Sequence, residues 1–535
     1  MRNIKYIFVL IAMVLLASGS HARTLEIKMS TCPKPYVDNI RKMTASLRSA
    51  DELILNFDKA GKYEFDGSLK FRCNTVIKGL GPNATQVIVK EGFTGGKSKM
   101  LDDTFFAVHG SSSRKVSAQV RDISFKLASH KGVLWEKAPK HIVKVCYGDG
   151  VVVDNIVTYS DNATLTHVDL RDCENVEVSN CEFENYNNSA EGGCLWTRGK
   201  QRNIHVFNNI FRKYGKDEVF GCWGGVNEKD FEIKNVVVEY NTFSLDNKTG
   251  IKHLDLQNFI AFNHSYTEGA KTYCNLEDIY FRNNEIKINA PIKRIMLFSL
   301  CKYTTVNNME ISFNEVLCTS KSSSDNSFMN DFDVIAQSRD NINITIKDNS
   351  IITHNEVKGN NGHTFLSVNN ASVAVVNNNI ENDYPQRLLW CHEGAMSLRL
   401  ENNNVTNVYT FSLSSSKTIE DVSITATNNT LSGDTRIYCR NVKNLSLDYR
   451  NNVFNSSNYH FFLQEGAELT SITFKDNVVN ALTGKGVIFA NYDGKPCRFN
   501  NVTILNNTFN GLKSTNISEP FKKVAKLQIK GNRYK

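Results

Sequence analysis

Beyond its first residues the sequence has no apolar stretch approaching the roughly 20 residues that a membrane-crossing helix needs, so no span is expected. It also lacks cysteine at zinc-ribbon spacing: pairs such as Cys173 and Cys181, or Cys194 and Cys222, are too far apart for a CxxC cluster. Lysine and arginine are scattered and no recognition motif appears, which argues against nucleic acid as a partner. The 13 cysteines are an odd number, so at least one has no intramolecular partner. They are expected mainly as small buried residues, with one or two disulfides.

What is present begins with MRNIKYIFVLIAMVLLASGSHA. Arg2 and Lys5 precede an apolar run from Ile7 to Ala17, and Ser20 and Ala22 are small residues suited to a cleavage site. Residues 1–22 therefore read as a secretory signal peptide, with no cysteine placed for a lipid anchor. The expected product is an exported, monomeric protein starting at Arg23, destined for the periplasm, the cell surface or the medium. Its formal charge, +8 for the whole sequence, falls to +6 without Arg2 and Lys5. A modest basic excess of this kind suits an acidic partner.

From Val176 onward one pattern recurs: apolar, any, apolar, two of any kind, Asn, any, apolar. IHVFNNIF (Ile204–Phe211), VVVEYNTF (Val236–Phe243), LRLENNNV (Leu398–Val405) and VTILNNTF (Val502–Phe509) are examples. The Asn slot is filled at 209, 241, 284, 314, 349, 378, 403, 429, 452, 477, 507 and 532, with Cys181 in the first copy. A local period of two marks short strands with one buried face, and such strands must stack on their neighbours to share a core. An Asn at each turn suits a left-handed bend, and stacked Asn side chains can hydrogen-bond from coil to coil. Leucine-rich repeats need a tighter, Leu-dominated unit. The expected fold is therefore an all-β, right-handed parallel β-helix. The frequent Asn-x-Ser/Thr triplets follow from the Asn repeat and are not read as glycosylation signals.

Residues 33–57 carry apolar residues at three- and four-residue intervals and read as a helix followed by a strand. A solenoid's open end exposes core and strand edges, so residues 23–74 are assigned to an N-terminal helical cap with the first coils and residues 75–535 to the β-helix. Coil spacing locates the cleft. It is 23–30 residues after Asn403 but 28–43 between Cys181 and Asn378, so extra loops should rise over residues 165–335.

Ser189–Gly199 matches Gly215–Gly225 at an offset of 27, and Thr249–Phe259 follows at an offset of 32. This stacks Glu191 on Glu218 and Trp196 on Trp223, with Asp255 beside Trp223 and His253 beside Gly221. Alternation turns Leu195, Cys222, Leu254 and Leu256 inward. The expected substrate-binding strip is Asp169, Trp196, Trp223, Asp255 and Phe298, with His167 on the same outer face. Glu191, Asp217, Glu218, Lys252 and His253 lie beside it. Like charges on adjacent coils repel, so an idle Glu191–Glu218 pair is unexpected.

Three chemistries suit such a strip. A lyase needs a base, for which Lys252 is placed, and cations to neutralise a uronate carboxylate, for which Arg198, Arg212 and His253 are candidates. Glu191, Asp217 and Glu218 have the oxygens to hold Ca²⁺ in that neutralising role. A hydrolase would pair Glu191 or Glu218 with Asp255 or Asp169 across the glycosidic bond. A non-catalytic glycan binder or adhesin would use the tryptophans and carboxylates only to hold sugar.

The Asn-punctuated repeat, from about Val120 to Tyr534, resembles the pectate-lyase-like β-helix superfamily of polysaccharide lyases and glycoside hydrolases. The resemblance implies a secreted or periplasmic carbohydrate-degrading enzyme acting on polysaccharide. The polygalacturonase branch would show an ordered series of Asn-Thr-Asp, paired Asp, Gly-His-Gly and Arg-Ile-Lys. Here Asp102–Asp103 lies too early and Asn361–Thr364 reads NGHT. The chondroitinase-B-like branch is similar in its Lys and Arg beside calcium-binding acids, parts that Lys252 and Glu191, Asp217 and Glu218 would play here. The leading expectation is β-elimination on a glycosaminoglycan or pectin-like polymer.

Overall fold

The computed structural model describes residues 22–94, 104–127, 139–161, 166–186, 193–214, 218–223, 230–246, 256–263, 273–290, 292–299, 303–320, 327–330, 342–355, 364–368, 370–383, 386–391, 394–456, 459–460, 462–465, 468, 470–481, 486–487, 498–514, 524 and 526–535. Short strands with β-branched and aromatic residues at alternate positions stack in parallel, coil upon coil. In the first sheet Val206, Val238, Phe281, Ile311, Ile346 and Val375 stand one above the next, all buried. In the second, Phe183, Phe211 and Phe243 stack with ring centroids 5.1 and 4.8 Å apart. A third sheet runs through His141–Cys146, Thr166–Arg171, Gly193–Arg198, Phe220–Trp223, Leu256–Asn263 and Ile292–Ser299. The apolar sides of all three face one continuous core. The chain is a parallel β-helix.

The turn from the first to the second sheet explains the Asn repeat. At each of eleven steps from Asn209 to Asn532, the Nδ2 of one Asn donates to the Oδ1 of the next at 2.9–3.1 Å. The backbone N–H donates to the same oxygen, as Asn349 does to Asn378 at 3.0 Å. Cys181 begins the series through its backbone N–H to Asn209 Oδ1. The left-handed bend, however, falls one residue earlier than expected. Asn180, Asn208, Tyr240, Asn283, Phe313, Asp348 and their equivalents take φ of 54–58°, and Gly531 takes 72°. The ladder Asn is thus selected for its buried amide, and its predecessor bears the conformational constraint.

The N-terminal region holds a helix, Tyr36–Thr44, whose Tyr36, Val37 and Ile40 are buried; the Tyr36 ring lies 5.4 Å from that of Phe65. A strand already precedes it. Thr24–Lys28 pairs with Glu52–Asn56, so the helix is an insertion between the first two stacked strands. Residues 1–21, nearly all of the stretch expected as a signal peptide (1–22), lie outside the described residues. Ten of the cysteines are free thiols, nine of them buried. Burial pushes those of Cys181, Cys194, Cys222 and Cys318 up to about 12, which makes them inert packing residues.

The 43-residue spacing from Asn241 to Asn284 adds chain on both sides of the third-sheet strand Leu256–Asn263, after Asp246 and before Tyr273.

Candidate functional site

The third sheet carries the chemistry. Alternation along Thr166–Arg171 turns Val168 and Leu170 into the core and Asp169 outward. Asp169 is flanked in register by Lys144 on one side and Trp196 on the other. Facing outward does not mean facing water: Asp169 is fully buried and Trp196 is 5% exposed. The exposed strip of the sequence reading is here a covered polar layer.

Asp169 is the centre of that layer. Lys144 Nζ lies 3.0 Å from Oδ2 and His141 Nε2 3.4 Å from the same oxygen. Arg198 grips both carboxylate oxygens, its Nε donating to Oδ1 at 2.8 Å and its Nη2 to Oδ2. The Arg198 guanidinium also lies over the Trp196 ring, 5.6 Å from the centroid, and His141 meets that ring edge-on at 6.4 Å. Gly193 makes room for the indole. A Cβ there would stand 2.3 Å from Trp196 Nε1 and 2.7 Å from the Glu218 carbonyl of the next coil.

The electrostatics follow from this packing. Burial works against ionisation of Asp169, yet His141, Arg198 and Lys144 around it hold its carboxyl well below the usual carboxylate range. Burial pushes His141 down to about 3; Asp169 opposes this, while Lys144 and Arg198 add to it. His141 is therefore neutral at pH 7, and the cations that balance Asp169 are Arg198 and Lys144. Two cations on one carboxylate leave an excess of positive charge. Arg198, its side chain 26% exposed, carries it toward the surface beside Arg171, which is 27% exposed and lies 3.7 Å from its own partner, Asp172.

Several expected neighbours are rearranged. Trp196 pairs with Gly221, an offset of 25, so Trp196 and Trp223 do not stack; Trp223 pairs with Arg198 instead. The next offset is 40, which sets Asn263 beside Trp223, in place of Asp255, and Ala261 beside Gly221, in place of His253. Phe298 pairs with Phe262 and stands in the register row of Leu170, Thr197 and Cys222, one position away from the row of Asp169 and Trp196.

His167 is not on the outer face. It is buried inside, with Nδ1 2.6 Å from Thr158 Oγ1 and Nε2 3.0 Å from Ser160 Oγ, and burial pushes it down to about 3. Arg212 lies on the second sheet, ion-paired with Glu182, away from the Asp169 strand. Glu218 is buried, 5% exposed, next to Trp196 and Gly193.

Lys252, His253, Asp255, Glu191 and Asp217 lie outside the described residues, and Trp223 and Phe298 are known here by their strand positions. Of the calcium-binding set only Glu218 is described, and among the described residues no three His, Cys, Asp or Glu converge as metal ligands. The layer's other two members, His141 and Lys144, were missed by sequence reasoning. HIVKVC (His141–Cys146) repeats the alternation of THVDLR (Thr166–Arg171) 25 residues earlier, and extending the coil alignment back by one would have set Lys144 beside Asp169.

No family model and no curated protein matches the sequence. Solved structures match over most of its length at low identity. The catalytic unit of a GH87 α-1,3-glucanase from Streptomyces thermodiastaticus is 13% identical, over 84% of this chain and 69% of that one, with a TM-score of 0.37. A family 28 exopolygalacturonase from Yersinia enterocolitica is 10% identical, over 86% and 78%, with a TM-score of 0.39. An alginate lyase is 12% identical, over 96% and 88%, with a TM-score of 0.31. Likeness at this level assigns no activity.

Proposed function

We propose that this chain is an exported carbohydrate-active enzyme that lays a uronic-acid-containing polysaccharide along the outer face of the third sheet and cleaves it by β-elimination. The observation that supports this is the buried Asp169 clamped between Lys144 and Arg198, with Arg198 reaching the surface beside Arg171. An arginine anchored from behind by a bidentate carboxylate is pre-organised, and a planar guanidinium is suited to a substrate carboxylate. Neutralising that carboxylate is what acidifies the adjacent C–H for removal by a base. Lys144 is committed to Asp169 and His141 is a weak base in its setting, so the base is assigned to Lys252, the residue the sequence reading placed in that role.

Asp169 also argues against the hydrolase reading that used it. Held ionised, it cannot be the glycosidic acid, and fully buried with its oxygens taken by Arg198 and Lys144 it cannot meet substrate as base or nucleophile. Glu218, buried beside Trp196, is the described carboxylate on which a hydrolase would rest.

The test is to offer the mature protein glycosaminoglycans, pectins and alginate while following both new reducing ends and the ultraviolet absorbance of unsaturated uronides. Both signals should rise on one acidic polymer, and Arg198→Ala should lower kcat by about 10²-fold. Reducing ends without absorbance would transfer the assignment to a hydrolase using Glu218. Silence on every acidic polymer would overturn the lyase reading and leave glycan binding.

A further inference from the structure

Upstream of the Asp169 layer, Ser49, Arg72, His109, Gly110, Ser111 and Arg114 line a cavity of about 330 Å³. It stands on the same face of the third sheet. His109 pairs with Cys146, Cys146 with Arg171 and Arg171 with Arg198, so the cavity is two coils from Arg171 and three from Arg198. With strands about 4.8 Å apart, those are axial distances of about 10 and 14 Å.

One wall is a rigid turn. Ser111 and Arg114 exchange backbone hydrogen bonds at 2.8 and 3.0 Å, and the turn is tied to the next coil by Gly110 N–H to the Cys146 carbonyl and Val116 N–H to the Tyr147 carbonyl. A Cβ at Gly110 would come within 2.7 Å of both the Arg114 and the Tyr147 carbonyl oxygens, so the close approach requires glycine. His109 is fixed edge-on against the Tyr147 ring at 5.9 Å.

The charge on this cavity is unbalanced. Neither Arg72 nor Arg114 has an ion-pair partner among the described residues, and the acids paired with segments next to the cavity, Asp51 and Glu174, are already taken. Asp51 is held by Arg23 and Arg48, and Glu174 pairs with Lys115 at 2.5 Å. Burial first, and then the cations Arg72, Lys144, Arg171 and Lys70, keep His109 below its ordinary value.

We propose that this cavity is an oxyanion-binding subsite that takes the carboxylate or sulfate ester of an acidic saccharide between Arg72 and Arg114. Ser49, Ser111 and His109 would contribute hydrogen bonds. The saccharide as the source of that oxyanion rests on the function proposed above; the cavity's affinity for oxyanions does not. The site would anchor one end of a chain whose reacting unit lies at Arg171 and Arg198.

Calorimetry on the full mature chain, at fixed ionic strength, would use sodium sulfate and glucuronate as probes, with glucose as the neutral control. Saturable binding of one or both anions is expected, and which one binds names the group recognised. Binding should raise the His109 imidazole pKa, followed by NMR and assigned with His109→Gln. Arg72→Gln with Arg114→Gln should weaken binding at least about tenfold, as loss of charge-assisted hydrogen bonds predicts. Arg198→Ala, which removes the carboxylate contact proposed for the Asp169 layer, should leave the His109 shift on anion binding unchanged.

Should the double variant misfold, each exposed arginine replaced alone gives the same test. Absence of saturable binding, or equal binding by the arginine variants, would overturn the subsite even if the enzyme cuts polysaccharide. Anion binding lost in those variants, by a protein that cuts nothing, would keep the subsite and remove the catalytic reading.

Discussion

The turn between the first and second sheets and the outer face of the third sheet belong to the same coils, yet they bury polar groups in opposite ways. At the turn, the buried ladder groups are all neutral, every coil contributes the same amide, and each rung satisfies the next from Asn209 to Asn532. On the third sheet the polar layer occurs once among the described residues, is charged, and differs from coil to coil: Lys144, Asp169, Trp196, Gly221. A repeated neutral ladder distributes its stability along the solenoid. A single charged layer concentrates desolvation cost in one place, a cost that structural packing alone would not require and that suits a site of chemistry.

Breaking each at its centre should separate them. Asp169→Ala leaves Lys144 and Arg198 crowded and unbalanced, and removing one partner of a buried ion pair costs about 3–5 kcal/mol. Asn349→Ala removes a neutral rung whose Nδ2 lies 2.9 Å from the carbonyl of Ile311 and from Asn378 Oδ1, and should cost about 2–3 kcal/mol. The contrast sharpens in the double variants. Lys144→Met on the Asp169→Ala background should recover stability, since the stranded charge is gone, whereas replacing the neighbouring Asn378 as well should cost more. Chemical denaturation midpoints measure both; a lossless Asp169→Ala would mean the charged layer is not the costly one.

Acid should strike the third-sheet side and spare the ladder. His141 and His167 are fully buried with folded-state values near 3, against about 6.5 in the unfolded chain. The unfolded chain therefore takes up these protons first, so stability falls as pH drops below about 6.5 and the loss grows until about 3. At pH 5 the loss is about 2 kcal/mol for each imidazole. Asp169 has the opposite sense: its depressed carboxyl contributes stability above the unfolded value of about 3.9 and loses it only as pH falls further, so it does not contribute to a loss at pH 5. His167→Gln keeps a neutral hydrogen-bonding group beside Thr158 and Ser160. It should remove about 2 kcal/mol of the loss between pH 7 and pH 5. An unchanged pH slope would show that His167 is not the buried neutral group described.

The two regions also differ in how far the sequence discloses them. The ladder slots were all legible because one amide in one register recurs regardless of loop length elsewhere in the coil. Only the left-handed residue was misassigned, since Asn occupies both positions in copies such as Asn208–Asn209. On the third sheet the likeness of CLW to GCW suggested stacking Trp196 on Trp223, but the true register is displaced by two. A displacement of two keeps every residue on its face, because side chains alternate with period two. Leu195 and Cys222 were therefore correctly turned inward while the neighbours of Trp196 were wrong. The loops between the second and third sheets vary in length, so third-sheet register cannot be counted from the Asn slots. Nor does the sequence disclose that Asp169 and Trp196 are covered, because that depends on what folds over the sheet and not on alternation within it.

The smallest effect concerns the two places where the ladder turn breaks its own rule. Where Asn or Asp precedes most of the ladder residues, Tyr240 and Phe313 stand with φ of 57° and 54° and are 59% and 53% exposed. A left-handed conformation costs an ordinary L-residue about 1–2 kcal/mol, a cost Asn reduces by local hydrogen bonding of its short side chain. Neither ring returns this through burial. Phe313→Asn should thus stabilise the protein by about 1 kcal/mol, read as a raised denaturation midpoint, because it makes this turn like its neighbours. A destabilised variant would mean that the Phe313 ring has packing the exposed geometry does not provide. A stabilised variant that bound acidic polysaccharide less well would extend the functional surface from the third sheet to this turn, and the division between a structural edge and a chemical face would no longer hold.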